Sequence, residues 1–385
     1  MRPTLEIRSI AHRKLPSGTE LFSPHWIVRG DRPGKKVYVQ SGNHGGELAG
    51  HGALWALLAL LGGEDVAGEI HLLPQVNPMS FNAKIGDWQA GVFDLNTGSN
   101  WNRVFKLLAR RAGEPDDGRV DVDAFARRHR DRAWPEVRAA FQRELSDAVA
   151  ALSERLGERG LDARDAFALT LQGISCDADI VLDLHTGDVA PRYLYAPPWR
   201  PEAMRALDIP HVLLLDDRFA GAMDEATICP WLMLARAFAD LGRAVVPDVE
   251  GYTVELGSIE TVARDDMRRD ALGIANFLRA HGVLGGARRD GTLRRRLCAI
   301  GNYLGYVAPE SGLAVFEKGP GDDVRAGEVV ARILCAERVR GFATEEAEVP
   351  IVAARDGVLI TRHASPVVYR GLVLFKTMTD VEELP

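Results

Sequence analysis

His44 and Glu47 stand three residues apart in the stretch Ser41-Gly-Asn-His-Gly-Gly-Glu-Leu-Ala-Gly50. An imidazole nitrogen and a carboxylate oxygen are both common ligands of divalent transition metals, and a sharply turning backbone lets them meet at one point. On its own such a pair is more often an ordinary polar turn, so the reading needs a third ligand. Asp183-Leu-His185-Thr-Gly187 supplies one at His185. Asp183 lies two residues earlier and, by the alternation of a strand, on the same face, where it can orient the imidazole. Two histidines and one carboxylate leave a coordination position open for water, the catalytic rather than the structural arrangement of zinc. One Zn2+ per chain, held by His44, Glu47 and His185, is the expectation.

Hydrolysis at such a centre also needs a proton carrier. Glu255, in Val254-Glu-Leu-Gly-Ser258, ends an apolar run just before a glycine turn. From that rim a carboxylate can take a proton from water and hand it to a leaving amine. Glu250, before Gly251, is the rival in a looser setting. For substrate binding, Asn102 and Arg103 set an amide beside a planar guanidinium whose fork matches a carboxylate.

These residues fall at the strand-to-loop junctions that a largely parallel sheet creates. Val37-Tyr-Val-Gln40 reads as a short buried strand, and Leu54, Leu57, Leu58 and Leu61 follow it as the stripe of a core-facing helix. Glu69-Ile-His-Leu-Leu, ending at Asn77-Pro78, completes a strand–helix–strand unit of the kind found in parallel sheets covered on both faces. The glycines at 42, 45 and 46 are expected to keep side chains clear of metal and substrate. Residues 79–105 read as a loop long enough to be functional. Residues 106–172 read as a charged helical excursion able to cap a cleft, with Phe141, Leu145, Ala148, Val149 and Leu152 on one face. Strands are expected at 179–185, 192–195, 211–215, 244–246 and 252–256. Helices are expected over about 227–241 and 259–281. Ligands of open α/β sheets gather at the carboxyl ends of the strands, where His185 and Glu255 would both lie.

After Gly285-Gly286 the texture changes to an Arg-rich linker at 288–296 and then to short β segments with frequent turn residues. Val324-Arg-Ala-Gly327-Glu-Val-Val-Ala-Arg-Ile is echoed by Val368-Tyr-Arg-Gly371-Leu-Val-Leu-Phe-Lys-Thr. That echo suggests a small β-sandwich or barrel built from two similar halves. Two domains are therefore expected: 1–287, bearing the candidate centre, and 288–385, small and all-β.

Length and composition narrow the function classes. The 385 residues include 46% hydrophobic and 26% charged, the proportions of an ordinary globular protein with ample core. A net charge of −7, with no basic tail or stripe, argues against a nucleic-acid partner. The densest basic cluster, Arg127-Arg-His-Arg130, has acidic neighbours and reads as a solvated helix face. No apolar stretch is long enough to span a bilayer, and the charged N-terminus lacks the apolar core of a signal peptide. Cys176, Cys229, Cys298 and Cys335 are scattered without a paired spacing and read as reduced core thiols. A cytoplasmic protein with no nucleic-acid or membrane partner is the expectation; a homo-oligomer is compatible with it.

Taken in order, Gly42-x-His44-Gly-x-Glu47, Asn102-Arg103, Asp183-Leu-His185-Thr-Gly187 and Val254-Glu255-x-Gly257 resemble the succinylglutamate desuccinylase/aspartoacylase family of the zinc carboxypeptidase clan. The resemblance covers about 40–280 and is specific as a set. It implies an α/β fold, a mixed, mainly parallel sheet flanked by helices. It also implies zinc on His44, Glu47 and His185, Glu255 as general base and acid, and a substrate carboxylate at Asn102-Arg103. The C-terminal segment resembles the barrel-sandwich, lipoyl-like appendage of the predicted-deacylase branch, but no lysine stands near Arg355-Asp-Gly357 to carry a lipoyl or biotinyl group. Two departures bear on substrate. The family's unbroken Asp-Leu-Asn-Arg is split here, so that Asn96 and Asn102 compete for one role. The arginine that normally precedes it to polarise the scissile carbonyl is missing, which leaves Lys84 and Arg192 as substitutes.

The expected activity is a zinc-dependent hydrolase that removes the acyl group from an N-acyl amino acid or similar small N-acyl compound, breaking a linear amide. The alternatives are a zinc carboxypeptidase acting on peptides and a non-catalytic binding protein on the same fold.

Overall fold

The computed structural model describes residues 2–158, 160–199, 203–287 and 293–384. Two long strands, β1 (Thr4–Lys14) and β2 (Glu20–Arg29), form an antiparallel hairpin at one edge of the main sheet. The chain continues through β3 (Arg32–Ser41), α1 (Ala49–Leu61) and β4 (Ala67–Leu73), with β3 and β4 parallel, as the expected strand–helix–strand unit. The loop after β4 contains a single helical turn, α2 (Pro78–Phe81), a two-residue hairpin made of β5 (Lys84–Ile85) and β6 (Trp88–Gln89), and a 3-10 turn at Trp101–Arg103.

The excursion comprises β7 (Ala109–Arg110), β8 (Val120–Asp121), α3 (Val122–Arg128), α4 (Trp134–Gly157) and α5 (Ala163–Ser175). It is no detached cap. Phe125, Phe141 and Leu145 pack against Trp231, Leu234 and Phe238 in one buried cluster, and Phe167 and Leu171 pack against Tyr38 and Val181 of the sheet. β9 (Ile180–Gly187), β10 (Arg192–Ala196) and β11 (His211–Leu214) follow, then α6 (Met223–Asp240), β12 (Glu250–Ser258) and α7 (Arg264–Ala280). Residues 244–246 form no strand; they lie in the connection between α6 and β12. Three apolar residues without pairing partners are a weak strand signal, and here the connection claims them.

The strand order of the large sheet is β1-β2-β4-β3-β9-β12-β10-β11, continued by β13 (Arg295–Ala299) and β22 (Glu382–Leu384). β4, β3, β9 and β12 run parallel at its centre. Alternation along these strands decides what each face meets. Val37, Val39, Leu182, Leu184 and Val254 join the cluster under α1 and α7, whereas Tyr38 and Val181 face α5 and α6. The sheet is therefore covered on both sides, which explains its continuous apolar runs.

The remaining strands form two four-stranded antiparallel sheets. One has the order β14 (Tyr303–Val307), β21 (Val373–Thr379), β19 (Gly357–Arg362), β16 (Asp323–Val324). The other has the order β18 (Glu348–Val352), β17 (Val329–Leu334), β15 (Gly312–Phe316), β20 (Val367–Val368). The sequence echo has a structural counterpart: β16–β17 and β20–β21 are each a two-residue strand, a turn with a left-handed glycine (Gly327 or Gly371), and a longer strand. Each short strand pairs into the sheet that holds the other unit's long strand, so the two halves interlock. The linker expected at 288–296 lies, for 288–292, outside the described residues. At its far end Arg295 and Arg296 already belong to β13 of the large sheet. Val358, Ile360 and Met378 of the β unit share a buried cluster with Tyr193, Leu213 and Cys298.

Candidate functional site

Strands β3, β9 and β12 run side by side in the same direction, with Ser41 aligned with Leu184 and Leu184 with Val254. Their carboxyl ends thus open onto one edge. The turn after β3 is pinned by its neighbour: Val76 N donates to Ser41 O, Asn77 Nδ2 to Asn43 O at 3.0 Å, and Gly45 N to Ser80 Oγ at 2.6 Å. This corrects the reading of the glycines. A Cβ on Gly45 would come within 2.4 Å of Ser80 O, and one on Gly46 would press on the side chain of Ile259. They let two loops close on each other, and that packing aims His44 and Glu47.

Among the described residues, His44, Glu47 and His185 form one group able to hold a metal ion, with ligand atoms all within 4.8 Å of one another. All three are buried. Nδ1 of His44 lies 2.7 Å from Glu47 Oε1, and Nδ1 of His185 lies 2.7 Å from Glu47 Oε2, so both rings present the same nitrogen to one carboxylate. Thr186 N donates to Glu47 Oε2 at 3.1 Å. The outward nitrogens meet oxygen atoms as well: His44 Nε2 is 3.0 Å from Asn100 Oδ1, and His185 Nε2 is 2.8 Å from Asp183 Oδ2, though too poorly aligned there for a hydrogen bond. A neutral imidazole carries one proton. A proton held on each Nε2, towards Asn100 and Asp183, would leave both Nδ1 lone pairs pointing inward, as metal ligation requires. The donor set therefore fits a borderline divalent ion such as zinc.

Behind His185 runs a buried relay. Tyr38 OH donates to Gln40 Oε1 at 2.8 Å, and Gln40 Nε2 donates to Asp183 Oδ1 at 2.8 Å. Residues 38 and 40 share a face of β3, as 183 and 185 share one of β9, so adjacent parallel strands line the four up. Burial pushes the Glu47 carboxyl towards the neutral form, but the charges of His44 and His185 outweigh it and hold the pKa down. For His185 burial opposes the proton, and Asp183 and Glu47 reverse that to raise its pKa well above the usual value.

Glu255 is buried and directly opposite His185 on the neighbouring strand. Burial, reinforced by the charge of Glu47, pushes its pKa up to about 8. On its other side β10 sets Tyr193 opposite Glu255. Glu250 is at the far end of β12, bound to Tyr252 and His281, and is removed from this edge.

The loop residues are sorted by the fold. Asn100 is the asparagine that reaches the cluster. Asn102 is buried and accepts from Met223 N at 3.3 Å, while exposed Asn96 bonds Asp94. Asn100 also accepts from Asn102 N at 2.7 Å, so the 3-10 turn at 101–103 holds it in place. Sequence reasoning passed over it, although it stands in the same Asn-rich run. Arg103 follows on this turn and is exposed. Arg192 is bound to Asp270 at 2.6 Å and Asp266 at 2.8 Å on α7, and Lys84 is exposed on the β5–β6 hairpin. Neither is joined to the cluster.

The fold is a helix-flanked mixed sheet, parallel at its centre, that carries its polar cluster at the carboxyl edge of β3, β9 and β12. Residues 33–131 match the model of the succinylglutamate desuccinylase/aspartoacylase catalytic domain. The chain is 32% identical to a protein from Shewanella frigidimarina NCIMB 400 assigned to that family, over 99% of both chains and with a TM-score of 0.89. A succinylglutamate desuccinylase/aspartoacylase family protein from Shewanella amazonensis SB2B is likewise 32% identical, over 98% of this chain and 100% of its own, with a TM-score of 0.89. The product-bound ectoine utilization protein EutE (DoeB) from Ruegeria pomeroyi shares the fold at 18% identity, over 98% and 95% of the two chains, with a TM-score of 0.66. No curated protein sequence matches. The chain belongs to the succinylglutamate desuccinylase/aspartoacylase family, and with it to the deacylases. No helix among the described residues is long and apolar enough to cross a membrane.

Proposed function

We propose that this protein is a zinc-dependent deacylase that hydrolyses the amide of an N-acyl amino acid or a similar small N-acyl compound. The observation that carries this is the convergence of two imidazole Nδ1 atoms on the Glu47 carboxylate, with each outward Nε2 facing an acceptor oxygen. His44, Glu47 and His185 would hold one zinc ion, which when bound supplies Lewis acidity towards a carbonyl and acidifies a water. The other roles fall to the chain itself. Asp183, anchored by Gln40, orients the ring of His185, and Asn100 does the same for His44. Glu255, buried and directly opposite His185 on the neighbouring strand, accepts a proton from the attacking water and delivers it to the departing amine. Arg103, exposed at the mouth, binds a substrate carboxylate, and Asn102 fixes the turn that presents it.

We further propose that residues 1–287 form the zinc hydrolase domain and 288–385 a β domain whose strands β13 and β22 extend the large sheet. The protein would act in the cytoplasm on small molecules, and assembly into a homo-oligomer is compatible with this role. The test is a panel of N-acyl amino acids and matching peptides offered to zinc-loaded protein. Release of free amino acid from the acylated compounds, with little from the peptides, is expected. Preference for peptides would mark a carboxypeptidase, and turnover of neither would mark a binding protein.

A further inference from the structure

Lys376 is a cation that the family motifs do not include. It lies on β21 of the C-terminal β unit, half-buried, and its ammonium has no hydrogen bond or ion pair among the described residues. Nζ stands 5.3 Å from the centre of the Tyr303 ring. That ring is 6.4 Å from those of Tyr193 and Tyr195, and Tyr193 is the cross-strand neighbour of Glu255. The backbone leads to the same place. Lys376 is paired with Thr361 on β19, and the Thr361 methyl lies so close to Gly187 that a Cβ there would approach it to 3.1 Å. Gly187 ends the strand that carries His185, and the next residues are tied to β19 by a bridge between Val189 and Arg362.

The β unit thus closes over the Glu255 side of the site. The charged groups that act on Lys376 are Glu255, Arg103 and Asp188. Burial pushes the ammonium pKa down and the charge of Arg103 adds to this, while the charges of Glu255 and Asp188 oppose it without restoring the usual value. A half-buried ammonium without a paired carboxylate is costly to maintain, and an anionic ligand would relieve that cost. Arg192, in contrast, already has two aspartates.

We propose that Lys376 is a substrate-binding residue that recognises a carboxylate of the substrate, so that the C-terminal β unit forms part of the active site and sets its specificity. This rests on the deacylase reading. The carboxylate can belong to the amino acid or to a dicarboxylic acyl group. The experiment uses zinc-loaded full-length protein with Lys376 intact, Lys376→Met, which keeps the stem against Tyr303, and Lys376→Arg. Each is offered N-acetylglycine, N-acetylglycinamide and N-succinylglycinamide, with hydrolysis followed as KM and kcat and binding followed as the ligand-induced rise in Tm. The expected result is that Lys376→Met weakens binding of one carboxylate-bearing compound about 10- to 100-fold, the worth of a charge-assisted hydrogen bond, and leaves the uncharged amide unchanged. Lys376→Arg recovers most of the loss. The compound that suffers shows which side of the amide Lys376 faces.

Equal losses for all three compounds, or none, overturn the proposal, as does a parent protein that binds the acids no better than the amide. If no compound is hydrolysed but the acids still bind in a Lys376-dependent way, the deacylase reading fails and the carboxylate site stands.

Discussion

His185 and Glu255 are cross-strand partners on the parallel strands β9 and β12, one residue pair beyond the alignment of Leu184 with Val254. Side chains at paired positions point to the same face of a sheet. A candidate metal ligand and a candidate proton carrier are therefore held by backbone hydrogen bonds of the core sheet and not by a loop. The register itself sets their separation.

The purified protein is expected to carry one zinc per chain when prepared without chelator. His185→Ala and His44→Ala are each expected to lose it, with elemental analysis as the readout. Because an ion that binds only the folded state stabilises it, zinc should raise Tm in the parent protein and have little effect on either variant. A parent protein with no stoichiometric transition metal, and no Tm response to added zinc, would sink the metal reading.

Glu255→Gln keeps the shape of the side chain and removes its ability to take a proton. The expected result is a fall in kcat of about 10^2- to 10^4-fold, the usual range for general acid–base catalysis, with zinc content unchanged. Activity within a few-fold of the parent would assign the proton transfer to another group.

Asp183→Asn and Asn100→Ala test the residues behind the two imidazoles. Loss of such a partner typically costs about 10- to 100-fold in metal affinity. Competition with a chelating dye should show that loss in both variants. Asp183→Asn should be the more severe, because its carboxylate is fully buried and also takes the Gln40 hydrogen bond.

A pH effect on stability is expected away from the site. His211, buried at the start of β11, has its pKa lowered to about 4 by burial and by Arg296. In the unfolded chain it returns to about 6.5. Between these values the unfolded state binds the extra proton, so the contribution of His211 is fully present above about pH 6.5 and is lost as the pH falls towards 4. At about 1.4 kcal/mol per unit, the whole window is worth on the order of 3 kcal/mol. Thermal melts of the parent and His211→Gln from pH 7 to pH 4 should show the smaller slope in the variant; parallel curves would refute the assignment.

Much of the scaffold could be read from residue patterns. The apolar periodicity around 37–61 and 179–187 located the strands and the helix that flank the centre, because burying one face leaves a repeat of two or of 3.6 residues in the chain. The ligand types and their place at strand ends were likewise visible, since a turn after a strand is where a polar side chain can leave the core. At 244–246 the expected strand is absent because a short apolar run carries no information about whether a neighbouring strand exists to pair with it.

The sequence by itself determined which side chains could do chemistry and that they would stand at the carboxyl ends of parallel strands. Only the tertiary structure decided which of them meet. Asn100 and not Asn96 or Asn102 reaches His44, Arg192 spends its charge on α7, and Lys376, nearly two hundred residues beyond His185, stands over the Tyr303 ring. Local pattern encodes which face of an element is buried. The choice among equivalent polar residues depends on how distant elements pack, and no single segment records that.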